Sequence, residues 1–535
     1  MFPKQHWDDI REGSSMNFLA EPRRELTPNS AMDEEQIVIA EEFLNELVTL
    51  GVLIEVAAGE MVANGPLFCL PKPGQPGQWR ILSDMRRGGQ NEAIGPDPTV
   101  FPKPGVILEQ MYTGGWSAVV DASKFFYQFR TRPEERKYLG CIHPRDPTRH
   151  FTYASLPMGA AQSPSLAGRY GAAFLRLLRS TSTLFQGIPN HNTWWGDFQG
   201  CNHFDPMLGQ GRVLLADQNV PAVLVWSRCD DFFLHGPTKD KTTAALTAFL
   251  NCAVDVGLLC HPGKLTPPAH AVKYTGFIFD SVSEPMLRIP EYKVAKAIAL
   301  TDYGRANQRR ISRLALAVIV GVLESLVEAT PTRIGHTYLR HLQGTLHPEG
   351  WVGDDLSYFS YASLSEADVH ELDLWSWLLL HNHGRRARAT KSGTLVPSFG
   401  DGSGTGTGGT VQYREAEPFD MWMGVWSPRV YRFTSNWKEM RTLLATLERA
   451  KAQRRQDISG VTFFYFTDNT TTYFAVSSGS STAPSLHDMV EKIKAIGIGT
   501  RHCLGSRACT RHHHYHGRYR RFEPRHLDFG PTRQT

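Results

Sequence analysis

The amino-acid sequence predicts an α+β fold divided over more than one compact unit, and three observations support this. Short apolar runs broken by Gly and Pro are interspersed with amphipathic helical stretches, the order of a mixed architecture. At 535 residues the chain is too long for a single core. Its 41% hydrophobic, 11% aromatic and 21% charged residues exclude a disordered, collagen-like or small disulfide-stapled chain.

Residues 1–32 are polar and irregular and are expected to be loosely ordered. From Asp33 to Leu50, Ala40, Phe43, Leu44 and Leu47 recur at helical spacing behind an acidic first turn, which predicts a helix. PLFCLPKPGQPGQWRILSD then reads as a hairpin with a Pro/Gly-rich loop. Strands follow at Trp116 to Asp121 and Val223 to Cys229, with helices around Pro164 to Leu178 and Thr242 to Val256 between and after them. Residues 291–395 read as helices followed by an aromatic-rich connection. A new unit opens at Val396 with DGSGTGTGG, then a strand, a helix presenting Met440, Leu443, Leu444 and Leu447, a strand at Val461 to Thr467, and a helix around Leu486 to Ile496. Residues 501–535 form an Arg/His-rich tail.

The net charge of +4 does not argue for nucleic-acid binding, because the tail alone carries eight Arg against two acids. Without it the chain is close to neutral, and a template-binding field has to come from clusters such as Arg80, Arg86 and Arg87. The eight cysteines form no CxxC pair, which excludes a zinc ribbon or a thioredoxin-type site. With an N-terminus lacking an apolar signal core, they point to a reducing intracellular compartment, cytoplasm or nucleus. The run Leu314 to Leu323 is too short to span a bilayer, so no membrane is expected.

Asp121 ends an apolar strand, and Asp230-Asp231 lie between the runs VLVWSRC and FFLHG, as in a tight hairpin turn. A lone Asp doublet is usually turn chemistry. If the hairpin pairs with the Asp121 strand, three carboxylates converge as oxygen ligands for hard cations such as Mg²⁺. Two such ions roughly 3.5–4 Å apart can serve an attacking and a leaving oxygen.

The surrounding segments WRILSDMRRGGQNEAI, VVDASKFFYQF, LPMGAAQSP, RCDDFFLHG, GLLCHPGKL and KYTGFIFD occur in the order of reverse transcriptase motifs. Over about Leu70 to Asp280 the chain resembles eukaryotic retrotransposon polymerases, DIRS-like elements among them. The resemblance implies a right-hand polymerase, with fingers and palm in 33–290 and a helical thumb and connection in 291–395. It implies Mg²⁺ or Mn²⁺, two ions per site, held by Asp121, Asp230 and, more weakly, Asp231. Arg80 and Lys72 would hold the incoming triphosphate, since the Arg fork matches phosphate oxygens. Phe126 would exclude a 2′-hydroxyl, whereas taken alone it reads as core packing, which Phe125 or Tyr127 could equally do. Met158 and Gly159 would lie near the nascent base pair, and Lys264 could protonate the leaving pyrophosphate. The implied partners are an RNA template, a DNA primer, an RNA–DNA hybrid and dNTPs. The chain departs from the family's Tyr-x-Asp-Asp at Arg228, which stands where the tyrosine would pack near the primer end, and an insertion, NHNTWWGDFQGCNHFD, precedes the doublet.

Asp401, Glu439 and Asp468 follow the order strand, helix, strand end, and their segments FGDGSG, SNWKEMRTLLATL and FTDNTTTYFAV resemble the ribonuclease H fold over 396–500. The resemblance implies a second two-metal site, at which water attacks the RNA strand of a hybrid. Taken singly, Glu439 reads as a solvated helix acid and Asp468 as a turn or helix cap. The family's fourth acid, in a segment such as G-T-D-G-L-S-R-G, has no counterpart in frame. Codons for Arg518 to Asp528 read one nucleotide further on can spell that phrase, so the tail is expected to be out of frame. Its other readings are a basic arm or a zinc cluster of Cys503, Cys509 and His512 to His514, with spacing unlike standard fingers.

Two functions are thus expected in order: an RNA-directed DNA polymerase with ribonuclease H activity, the replication core of a retrotransposon, or an inactive or domesticated relic that at most binds nucleic acid.

Overall fold

The computed structural model describes residues 4–506 except 73–76, 96–100, 186–222, 349–356, 382–383, 388–394, 412–419, 454–461, 468, 482 and 500–503. The insertion before the Asp doublet and the Arg/His-rich tail beyond 506 therefore lie outside the described residues. The chain divides into two compact units, residues 1–389 and 390–535.

At the centre of the first unit is a four-stranded sheet in the order Leu224–Arg228, Asp231–Gly236, Trp116–Asp121, Thr266–Ala269. The first three of these strands bury both faces, which is why they read as continuous apolar runs and not as an alternation. On one face Ala118, Val120, Val225, Phe232 and Leu234 join a core shared with helices Ser163–Thr181 and Lys239–Asp255. On the other, Val119, Leu224, Trp226 and Phe233 pack with Val272, Phe279 and Leu287 of a second sheet. Phe249 is fully buried on the helical side, its ring 4.9 Å from that of Phe174 and 5.1 Å from that of Phe232. Phe249→Ala is expected to cost about 3–5 kcal/mol, measurable by urea unfolding; a loss below about 1 kcal/mol would contradict this packing.

Two smaller assemblies accompany this sheet: strands Leu53–Val56, His150–Tyr153 and Gly140–Ile142, and the hairpin Leu67–Pro71 with Trp79–Ser83. Helix Glu34–Thr49 begins at a reciprocal capping box between Asp33 and Gln36 and buries Ala40, Leu44 and Leu47. After residue 290 the unit is mostly helical, through Glu291–Ala306, Arg313–Leu326 and Glu366–His381. The last of these buries two acids. Glu371 accepts the Nα–H groups of His341 and Leu342 at the start of helix Arg340–Leu346, and Asp368 accepts from Ser365 and Thr345.

The N-terminal segment is not loosely ordered beyond its first residues. Lys4–Glu12 is helical, Met16 is fully buried, and Ser14 bonds the hydroxyl of Tyr170 at 2.8 Å. Gly13, at φ 93°, passes so close to Thr131 that a Cβ would lie 2.7 Å from its carbonyl carbon. A polar stretch can be well packed when its donors and acceptors find partners far along the chain.

The second unit is a five-stranded sheet in the order Asp420–Val425, Gly406–Val411, Leu395–Gly402, Thr462–Phe466, Leu504–Ser506. The first three strands pair antiparallel, the last two parallel. Helix Ser435–Gln453 covers one face with Met440, Leu443, Leu444 and Leu447, and helix Pro484–Gly499 adds Leu486, Met489, Val490 and Ile493. The glycine-rich stretch serves this approach: a Cβ on Gly402 would lie 2.7 Å from the backbone of Lys438, and one on Gly409 2.7 Å from Thr446 Oγ1.

Candidate active site

The hairpin register brings the first carboxylates together. Leu224–Arg228 and Asp231–Gly236 are joined by a two-residue turn, Cys229-Asp230, closed by the pair Arg228 and Asp231. Cys229 takes φ 51°, the sign such turns need at their first central residue, at a cost on the order of 1 kcal/mol for a side chain other than Gly. Asp231 is in turn the register partner of Asp121. Directly opposed residues share a face, so these two carboxylates stand side by side. Asp230 is tied to the same strand end, its carbonyl accepting the Ala122 N–H at 2.7 Å.

Lys264 completes the cluster, its Nζ 3.1 and 3.2 Å from the two oxygens of Asp121. It is delivered by a short turn, Pro262–Lys264, that follows the His261 N–H donated to the Asp121 carbonyl at 2.8 Å. Gln128 clamps this loop: its Nε2 donates to the carbonyls of Ser123 and Leu259, and its Oε1 accepts from Leu259 N–H. Sequence reasoning missed Gln128, and its only signal was a polar residue within the aromatic run FFYQF.

The electrostatics are those of an under-neutralised anionic pocket. Burial raises the Asp230 carboxyl above its ordinary value, with the Asp121 charge adding to the rise and Lys264 opposing it. Asp231 is pushed up to about 6 by burial, then by Asp230 and Asp121, against Lys264 and Arg228. Carboxylates that repel one another in a half-desolvated site fit a divalent cation, which would reverse both effects.

The other expected residues are distributed as follows. Phe126 is half-buried in the turn Phe125–Gln128 just beyond Asp121, whereas Phe125 and Tyr127 are buried core. Phe126 packs against that same core from its partly buried position. Gly159, at φ 103°, leaves room for the Ser83 carbonyl, which a Cβ would approach to 2.4 Å, and Met158 packs against the core beside it. Asn91 holds this turn by bonding the Gly159 carbonyl and the Ala161 N–H. Arg80 and Lys72 lie on the Leu67–Ser83 hairpin, Arg80 exposed and Lys72 Nζ 3.3 Å from Gln78. Among the described residues neither pairs with Asp121, Asp230 or Asp231.

His235, on the Asp231 strand, is a buried neutral imidazole. Its Nε2 accepts the Tyr112 N–H and its Nδ1 therefore donates to Ser117 Oγ, both at 2.8 Å. Burial depresses its pKa to about 3. The unfolded chain takes up this proton near pH 6.5 and the folded chain does not, so the stabilisation is present above 6.5 and is lost as pH falls towards 3. Asp231 acts in the opposite sense between about 4 and 6, because its folded form binds the proton more tightly. Urea unfolding of His235→Asn should therefore fall less steeply from pH 6 to 4 than wild type, by up to about 1.4 kcal/mol per pH unit. Parallel slopes would refute this role.

In the second unit, Asp401 is exposed near the end of its strand, paired in register with Gly408. Glu439 is buried one turn into helix Ser435–Gln453, where the helix dipole favours a carboxylate, and accepts the N–H of Gly402, next to Asp401, at 3.3 Å. Asp468 lies outside the described residues. Its neighbour Asn469 caps helix Thr470–Ser478, and the Nδ2 of Asn469 bonds Asn436 on the Glu439 helix at 2.9 Å.

No protein-family model matches the chain. The Gag-Pro-Pol polyprotein of Simian retrovirus SRV-2 is 25% identical over 187 residues, 34% of this chain and 9% of the polyprotein. That of Sheep pulmonary adenomatosis virus is 24% identical over 153 residues, 28% and 8% respectively. The chain thus spans less than a tenth of the relatives it matches. Among solved structures, the foamy viral protease-reverse transcriptase with dsDNA aligns at TM-score 0.51 and 13% identity, over 92% of this chain and 86% of that one. The same protein with an RNA/DNA hybrid aligns at 0.51 and 14%, over 92% and 56%. The fold is accordingly α+β, a right-hand polymerase followed by a ribonuclease H-like α/β domain. The chain is thus similar in part of its sequence to retroviral polyproteins and in fold to the foamy viral protease-reverse transcriptase. No helix among the described residues is long and apolar enough to cross a membrane.

Proposed function

We propose that the chain is an RNA-directed DNA polymerase with an associated ribonuclease H, serving replication of a retroelement, and that its motif wording places it near DIRS-like elements. The observation that carries this reading is the alignment of Asp121 with Asp231 across paired strands, with Asp230 in the adjoining turn.

Asp121, Asp230 and Asp231 would hold Mg²⁺ or Mn²⁺, which when bound supplies positive charge to the attacking hydroxyl and the phosphate oxygens. The chain's own residues do the remainder. Lys264 balances the Asp121 carboxylate and offers its Nζ proton on the side where pyrophosphate would leave. Arg80 and Lys72 reach for the triphosphate from the fingers hairpin. Gly159 lets the backbone approach the nascent base pair, and Phe126 presents a ring edge against a 2′-hydroxyl. The boundaries 33–290 for fingers and palm, 291–395 for thumb and connection and 396–500 for the ribonuclease H-like domain belong to this proposal. So does a hydrolytic site of Asp401, Glu439 and Asp468. The partners would be an RNA template, a DNA primer, their hybrid and dNTPs.

Primer extension on an RNA template with Mg²⁺, comparing wild type with Asp230→Asn, tests the reading. A second reading, a relic that only binds nucleic acid, is favoured by Arg228 at the tyrosine position, and incorporation by neither protein would support it.

A further inference from the structure

Arg228 has no role in the reading above. It ends its strand two residues before Asp230, and its side chain is exposed. Its register partner is Asp231, whose own partner on the other side is Asp121. Because directly opposed residues share a face, the three side chains form one row across three strands. Lys264 closes the row at its far end. The row therefore reads cation, carboxylate, carboxylate, cation.

The two cations are engaged differently. Lys264 is committed to both oxygens of Asp121. Arg228 makes no ion pair within 4 Å among the described residues, and its guanidinium lies 5.7 Å from the centre of the Phe101 ring. An aromatic seat steadies a guanidinium while its N–H fork stays open at the edge. An always-charged fork with open donors, beside a cluster of acids that handles phosphates, is a receptor for phosphate oxygens.

We infer that Arg228 grips a backbone phosphate of the primer strand beside its 3′ end. This rests on the proposed polymerase reading. In that reaction the pyrophosphate departs on the Lys264 side and the reacting phosphorus lies over the carboxylates. The strand being extended then lies towards the opposite end of the row, where Arg228 stands. A charged grip takes the place of an aromatic contact at this position, so the departure at Arg228 exchanges one mode of primer holding for another.

The test measures primer–template affinity by fluorescence anisotropy at several salt concentrations, and steady-state extension, for wild type, Arg228→Ala and Arg228→Lys. Arg228→Ala is expected to weaken primer–template binding about tenfold and to reduce the log–log salt slope by about 0.9, the signature of one lost phosphate contact. The KM for dNTP should stay within about twofold, and Arg228→Lys should recover most of the affinity and the slope. Extension by wild type with unchanged affinity and salt slope in Arg228→Ala overturns the inference while leaving the polymerase reading intact. Equal loss in Arg228→Lys and Arg228→Ala with an unchanged slope overturns it too, because the residue would then be structural. No extension by wild type under any condition fails the underlying reading instead.

Discussion

Asp230→Asn should lower nucleotide incorporation by at least about 10³-fold while making the metal-free protein more stable. The loss corresponds to about 4 kcal/mol of transition-state stabilisation, the scale on which removing a charged oxygen ligand acts. The gain follows from the sign of the pKa shifts. Both Asp230 and Asp231 are raised, first by burial and then by neighbouring carboxylates (Asp121 for both, Asp230 also for Asp231), so each ionised carboxylate destabilises the folded state relative to the unfolded one. For Asp231 this destabilisation is absent below its unfolded pKa of about 4 and fully present above about 6. Discounted for solvent screening it is on the order of 1–2 kcal/mol. In EDTA at pH 7, Asp230→Asn should therefore melt higher than wild type. Mg²⁺ should raise the wild-type melting temperature and affect the variant far less. A variant that incorporates nucleotides normally, or that melts lower with no Mg²⁺ response in either protein, would falsify the site.

Glu439→Gln should abolish cleavage of the RNA strand in an RNA–DNA hybrid, by about 10²–10³-fold, and leave primer extension unchanged. Glu439 is buried beside the strand end that carries Asp401, and its carboxylate already accepts the Gly402 N–H, a bond the amide oxygen of Gln can keep. Shape and packing are thus preserved while the charge is removed, so the melting temperature should move little. Gel analysis of a labelled hybrid measures cleavage and extension on the same preparation. Persistent cleavage by the variant would remove Glu439 from the hydrolytic site, and a parallel loss of extension would point to a folding defect instead.

The secondary elements and the acids were legible in the sequence because their signals are local. The helices at Glu34–Thr49, Ser163–Thr181, Lys239–Asp255 and Ser435–Gln453 announce themselves by apolar spacing. The turn that carries Asp230 is bracketed by two apolar runs close enough in sequence to pair as a hairpin. The cap of the helix after Thr462–Phe466 was not legible, since Asp and Asn both serve as caps and only backbone placement selects Asn469. The packed N-terminal segment was missed altogether, because Ser14 and Met16 take their partners from Tyr170 and Glu135, more than a hundred residues away.

Chain order and composition were enough to predict the α+β class and to single out two sets of carboxylates and the odd arginine at 228. Folding in three dimensions settled what those residues do to one another. It set Asp121 opposite Asp231, laid Lys264 on Asp121 across 143 positions of sequence, and seated Arg228 on Phe101. Periodicity and turn chemistry are written in neighbouring residues, whereas strand register and charge pairing are set by the packing of segments far apart in the chain. The site is therefore named by its local motifs, and its electrostatics come from long-range contacts.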